Sequence, residues 1–141
     1  MDENYKKSYK GFVLWLVLFF AVHIFGAEPL ISMVEENYSV YASLSLTLIF
    51  LDILTYVIYK TEYIYWYNGM SYDTARKASS GARKEYAHRH LIKFVYASIM
   101  WLFYGILKSL TGIKLWVDVL VFCALIIGAA LSTITVRLED N

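Results

Sequence analysis

Four apolar runs, separated by shorter polar stretches, dominate the pattern of the chain. The first, GFVLWLVLFFAVHIFGA from Gly11 to Ala27, would reach about 25 Å as a helix, against a hydrocarbon core of roughly 30 Å. Its end, Ile24-Phe25-Gly26-Ala27, lacks the small-x-small pattern of a signal-peptidase site, so it reads as a retained helix. Glu28-Pro29 then interrupts the run, because proline has no backbone N–H to donate. The following LISMVEENYS reads as a short interfacial helix. VYASLSLTLIFLDILTYVIY, Val40 to Tyr59, is the second span and is expected to continue as a helix through Tyr67. The third span covers 94–111. A tight Thr111-Gly112-Ile113-Lys114 connection leads to the fourth, Leu115 to Val136.

The pattern predicts an all-α integral membrane protein, one transmembrane domain over residues 1–141. Its spans, at about 11–27, 40–59, 94–111 and 115–136, form a four-transmembrane-helix bundle of two antiparallel hairpins. The polar loop 60–93 breaks first at Asn68-Gly69. Ser71 can cap a short helix through Ala78, and Ser79 or Ser80 can cap a second that runs without interruption into the third span. This gives a helical extension between spans two and three.

Composition strengthens the membrane reading. Hydrophobic residues make up 59% and charged residues 18%, where soluble domains carry about 45–50% and roughly 25%. A globule of 141 residues has too little interior for that excess. Charge distribution orients the chain. The N-terminal tail, the 60–93 segment and the C-terminal tail hold three, seven and one Lys/Arg, while the opposite faces, 27–39 and 108–114, hold zero and two. Eleven against two predicts N-in/C-in, a multi-pass cell-membrane protein with both termini cytoplasmic. Nothing in the chain has a nucleic-acid signature.

Aromatic and basic residues gather beside the second span. Tyr56, Tyr59, Tyr63 and Tyr67 recur on one helical face, joined by Tyr65 and Trp66, and read as an interfacial aromatic belt. Arg83, Lys84, Arg89 and Lys93 would snorkel to the headgroups and contact anionic lipids at the cytoplasmic face. An aromatic belt followed by a basic loop is the style of many small bacterial membrane proteins, and it transfers no residue role.

Polar groups inside the apolar runs carry whatever functional argument there is, because a charge in lipid is costly. Asp52 lies about 18 Å into the second span and His23 about 12 Å from the outer edge of the first, a difference of about one helical turn. If those spans are neighbours, the two can meet, and such a pair could hold or relay a proton. The plainer alternative is that Asp52 bonds to hydroxyls such as Ser45 or Thr55 and ties helices together. Lys108 and Asp118 flank the Thr111–Lys114 turn at similar depth and would fix its register. Ala124, Gly128 and Ser132 recur every four residues and allow a close helix–helix approach, within the bundle or in a homo-oligomer.

His88-x-His90 points to two helical faces and falls short of a zinc ligand set, so both are expected to be solvated or lipid-facing; no metal or cofactor is expected. The lone Cys123 reads as a buried, inert thiol. Catalytic signatures such as a Gly-rich phosphate loop, G-x-S-x-G or H-E-x-x-H are missing from the sequence. The expectation is therefore a small membrane protein acting by association, as an accessory subunit, an immunity-type protector or an oligomeric scaffold. Its partners would be the bilayer and either a second copy or another membrane protein. The alternatives are an oligomeric small transporter or ion/proton channel using Asp52 and His23, and a lipid-acting membrane enzyme.

Overall fold

Residues 5–139 are described by the computed structural model, apart from the side chains of residues 27 and 30. The outermost residues of the single predicted domain, 1–4 and 140–141, lie outside the described residues. Helix α1 (Lys10–Ala21) runs into a π-helical turn, Val22–Gly26, and then into α2 (Ala27–Ser32). Helices α3 (Glu36–Thr61), α5 (Ser80–Thr111) and α6 (Leu115–Thr133) form the body, with a 3-10 turn at Ile64–Trp66 and the short α4 (Tyr72–Lys77) between α3 and α5. The chain is all-helical among the described residues, and α3, α5 and α6 are long and apolar enough to cross a membrane. The first apolar stretch, Lys10–Gly26, is shorter.

Pro29 explains the irregularity there. It lies in α2, which continues directly from the preceding helical turn, so it cannot donate to a carbonyl of that turn. Its ring would crowd the carbonyl four residues back, and the turn just before it is widened to a π-helix. The predicted interfacial helix therefore lies earlier than expected, at Ala27–Ser32. Glu35 is extended (φ −61°, ψ 148°) and α3 begins at Glu36, four residues before the predicted Val40.

The other end of α3 departs further from expectation. The helix does not continue through Tyr67: Glu62 takes a left-handed conformation (φ 60°) and terminates it after Thr61. This unusual backbone is held by side-chain bonds from α5, described below, and so Tyr63, Tyr65 and Tyr67 leave the face they were predicted to share with Tyr56 and Tyr59. Farther on, the caps are where the sequence places them. Ser71 Oγ accepts from Thr74 N at 3.0 Å and Ser79 Oγ from Ala82 N at 3.2 Å. Helix α5 then runs 32 residues unbroken to the left-handed Gly112 (φ 65°), and α6 follows after the short turn. It ends at Thr133, three residues before the predicted Val136.

Two separate cores result. Leu48 of α3 and Trp101 and Tyr104 of α5 centre the first, packed by Tyr41, Leu44, Val117, Val121, Phe122 and Leu125. The second lies at the polar end, where Tyr5, Ile58, Ile64, Tyr65, Ala75, Tyr86 and Ala87 cluster, with Val136 and Leu138 against them. Helix α1 is peripheral. It touches α3 through the Phe19–Phe50 ring pair and the Trp15 Nε1 bond to Phe50 O (2.8 Å), and it buries no residue. Apolar side chains cover the outside of the body: Leu102 and Phe103 are each 63% exposed and Leu110 is 79% exposed. Such continuous apolar surface is the signature of a lipid or protein contact.

Candidate functional site

The polar residues of the apolar body resolve into distinct constellations. Lys108 and Asp118 meet. Both side chains have 0% exposure, and Lys108 Nζ lies 3.0 Å and 2.9 Å from the two carboxylate oxygens. The ammonium also donates to Ile113 O (3.1 Å) in the connecting turn and sits over the Tyr38 ring, 5.4 Å from its centroid. Tyr104 donates its hydroxyl to Asp118 Oδ1. Asn37 Nδ2 reaches the same Ile113 carbonyl at 3.3 Å, so the pair ties α3, α5 and α6 at once. The charges are neutralised and their donor and acceptor capacity is largely used, which is the geometry a buried ion pair needs.

One turn deeper, Tyr41 stacks on Trp101 (4.8 Å between centroids) and Trp101 Nε1 donates to Ser45 Oγ at 2.8 Å. Tyr41 lies directly over Gly105, where a Cβ would collide with its phenol; only glycine leaves room.

His23 and Asp52 face different partners. His23 Nδ1 lies 2.8 Å from Phe19 O and Nε2 3.0 Å from Thr47 Oγ1. In the neutral ring Nδ1 donates to that carbonyl, leaving Nε2 to accept from the Thr47 hydroxyl. The π-turn holds this imidazole against Phe19, Phe50 and α3, away from any contact with Asp52 among the described residues. Asp52 Oδ2 instead accepts from Ser98 Oγ of α5 at 2.7 Å, while its buried Oδ1 has no hydrogen-bond partner. Ser45 and Thr55, the hydroxyls considered for Asp52 from sequence, bond elsewhere: Ser45 to Tyr41 O, and Thr55 to the backbone carbonyls of Leu51 and Asp52. Ser98 was legible only as a serine at membrane depth, with no spacing rule to pair it across helices.

The small-residue stripe remains open. Ala124 and Gly128 are exposed and nothing lies within 4 Å of a Gly128 Cβ. With Ser132 they border a groove of 250 Å³ between α6 and α5, whose far wall includes Lys93, Tyr96 and Met100. An apolar cleft of 520 Å³ flanks α3 near its start, along Val34, Tyr38, Tyr41, Ala42 and Leu46. Cys123, read from sequence as buried, is exposed on α6. An outer helix of the body presents most of its circumference outward, and an apolar run alone does not say which side faces in.

The polar end corrects the aromatic and basic assignments. Tyr65 is buried rather than belt-like, edge-on to Tyr5 and Tyr9; its hydroxyl accepts from Ser8 N at 2.7 Å and donates to Ser8 O at 2.8 Å. Trp66 Nε1 donates to the same carbonyl (3.0 Å) and its ring covers Gly11. Tyr63 packs on Tyr5 and Trp66, and Tyr67 stacks on His90 at 4.3 Å. Tyr56, 50% exposed, and the half-buried Tyr59 keep the outward position a belt requires.

Arg83 does not reach headgroups. Its side chain is 2% exposed and locks Glu62 through Nε (3.0 Å) and NH2 (2.9 Å), donates to Ala78 O at 2.6 Å and lies 4.1 Å from the centroid of Tyr5. Ser80 and Lys84 complete the hold on Glu62, and Tyr5 donates its hydroxyl to the Glu62 carbonyl at 2.6 Å. This cluster was missed from sequence, since Glu62 and Arg83 are 21 residues apart and nothing local pairs them. Lys84 is exposed, Arg89 pairs with Glu85 and Glu139, and Lys93 lines the α5–α6 groove. His90 is buried, correcting its expected exposure, and bonds Tyr86 O; His88 is exposed beside Tyr59. No group of three or more metal-ligating side chains comes together among the described residues.

Burial pushes the phenols of Tyr5, Tyr65 and Tyr67 above the ordinary tyrosine range, partly offset at Tyr5 by the Arg83 guanidinium. No protein-family model matches this chain, and neither a curated protein nor a solved structure matches it.

Proposed function

We propose that the chain is a small multi-pass protein of the cell membrane that acts by association, presenting the outer face of α6 and the adjoining side of α5 to another transmembrane helix. The observation that carries this is the open stripe Ala124–Gly128–Ser132 beside a 250 Å³ groove. Without a hydrophobic driving force in lipid, helices associate through close packing, and small residues at four-residue spacing permit it. The Lys108–Asp118 pair is spent inside the chain, which fits a bundle that ties its own helices together and leaves an apolar face for a partner.

In this reading Lys10–Gly26 supplies a fourth span, its shorter length met by local thinning of the bilayer. Both ends of the described chain gather at the polar cap: Tyr5 and Ser8 bond residues 62–72, and Glu139 lies 3.8 Å from Arg89. That fits termini on one side, and the Lys/Arg asymmetry supports the cytoplasmic side. The test is the mass of the protein in mild detergent, with the detergent contribution subtracted, for the wild type and Gly128→Leu. A defined complex that Gly128→Leu dissociates is expected. A wild type that is monomeric and crosslinks to nothing in native membranes would sink the reading.

One observation favours a second reading, an oligomeric small transporter or ion channel: the partnerless Oδ1 of Asp52 at membrane depth. Flux into liposomes discriminates it from association.

A further inference from the structure

Asp52 is the seventeenth residue of α3, well inside the apolar body, and among the described residues its carboxyl bonds only to Ser98. Beside it a cleft of 390 Å³ separates α3 from α5, walled by Ile49, Ile53, Tyr56, Leu91 and Val95. The cleft opens sideways: Ile49, Ile53 and Tyr56 are 54%, 46% and 50% exposed. A single carboxyl group thus sits with the Tyr56 phenol in an otherwise apolar wall of a size that suits a drug-like molecule.

Three features narrow the occupant. Asp52 lines the cleft and its Oδ1 is buried beside it with no hydrogen-bond partner, and an ionised carboxylate in such low-dielectric surroundings favours a positive charge. A single carboxylate balances one charge and falls far short of the six or more oxygens that a calcium ion takes, or the octahedral shell of magnesium. The Tyr56 ring lines the cleft's edge, and aromatic faces attract weakly hydrated organic cations. We propose that this cleft binds a monovalent lipophilic organic cation, entering from the bilayer, with Asp52 as its counter-ion and Ile49, Ile53, Leu91 and Val95 around its apolar groups. The site lies on α3 and α5, apart from the Gly128 stripe, and does not depend on the association reading.

The test is equilibrium binding of tetraphenylphosphonium to the protein in nanodiscs of zwitterionic lipid, with empty nanodiscs subtracted. Saturable binding is expected for the wild type, displaced by a second lipophilic cation and not by neutral triphenylphosphine oxide, a comparison that needs no variant. Asp52→Asn keeps the shape and an oxygen for the Ser98 hydroxyl, and should weaken binding at least tenfold. Ile53→Trp, which retains the carboxyl group and fills the cleft, should weaken it as much. Absence of saturable binding, equal displacement by the neutral compound, or unchanged affinity in Asp52→Asn each overturns the proposal. Loss in Ile53→Trp alone would mean an apolar ligand and overturns it too.

Discussion

A lysine and an aspartate with no exposed surface coexist in an apolar body only because each is the other's counter-charge. Removing one leaves the other uncompensated, at a cost of about 3–5 kcal/mol, whereas replacing both by apolar groups can be nearly neutral. Asp118→Ala should therefore destabilise strongly in a denaturant titration from mild detergent, and so should Lys108→Met. The double variant should recover most of the loss once Tyr104→Phe removes the hydroxyl that Asp118 accepted from. A Lys108→Met/Asp118→Ala/Tyr104→Phe variant as unstable as the single ones would show that the pair contributes something other than mutual neutralisation. This pairing was legible from sequence, because ten residues and one turn separate the two charges and the tight connection folds them together. The His23–Asp52 meeting was argued from depth alone. Depth fixes height along a helix but not the direction in which a side chain points, and His23 turned to Thr47 while Asp52 turned to Ser98.

Helix α5 illustrates what an element's own sequence can reveal. Its N-cap at Ser79, its unbroken run and its end at Gly112 all follow from local chemistry. The glycine inside it follows from packing instead. Gly105 lies under Tyr41 of α3, so Gly105→Ala should push Tyr41 off Trp101 and cost about 1–3 kcal/mol by overpacking, although alanine is the better helix former. Thermal unfolding of Gly105→Ala against wild type, compared with Gly105→Ala/Tyr41→Ala against Tyr41→Ala, would separate steric strain from helix propensity; a stabilised Gly105→Ala contradicts the contact. The end of α3 is the opposite case. Periodic tyrosines continued the helix on paper, yet Arg83 and Ser80, some twenty residues later, hold Glu62 in a left-handed turn. Tertiary bonds outweighed a local pattern, and the same residues removed Arg83 from the set that can touch lipid headgroups. The membrane-facing character of α3, α5 and α6 needed no such partner information, because it rests on length and apolar content.

At the scale of the molecule the two cores answer to different solvents. The inner one, around Leu48, Trp101 and Tyr104, sits among helices whose outer faces are apolar. The outer one is a cap of tyrosines stitched by Glu62, Arg83 and the Ser8 backbone, and its stability is linked to pH. Folding raises the phenol pKa values of Tyr5, Tyr65 and Tyr67, so neutral phenols favour the closed cap. Their contribution is whole below about pH 10, the ordinary phenol value, and declines as pH rises through the folded values, because the opened cap releases protons first. Alkaline conditions should therefore open the cap while the inner core persists. The four tryptophans allow the two to be watched separately. A variant keeping only Trp66, in the cap, should shift its fluorescence above pH 10, whereas one keeping only Trp101, buried between α3 and α5, should hold its signal there. Tyr65→Phe should weaken the cap at neutral pH through the lost Ser8 bonds and flatten its alkaline response, since one of the titrating phenols is gone. If Trp66 and Trp101 respond together at every pH, the cap and the bundle form one cooperative unit. The tail bonded to residues 62–72 would then be part of what holds the membrane helices in register.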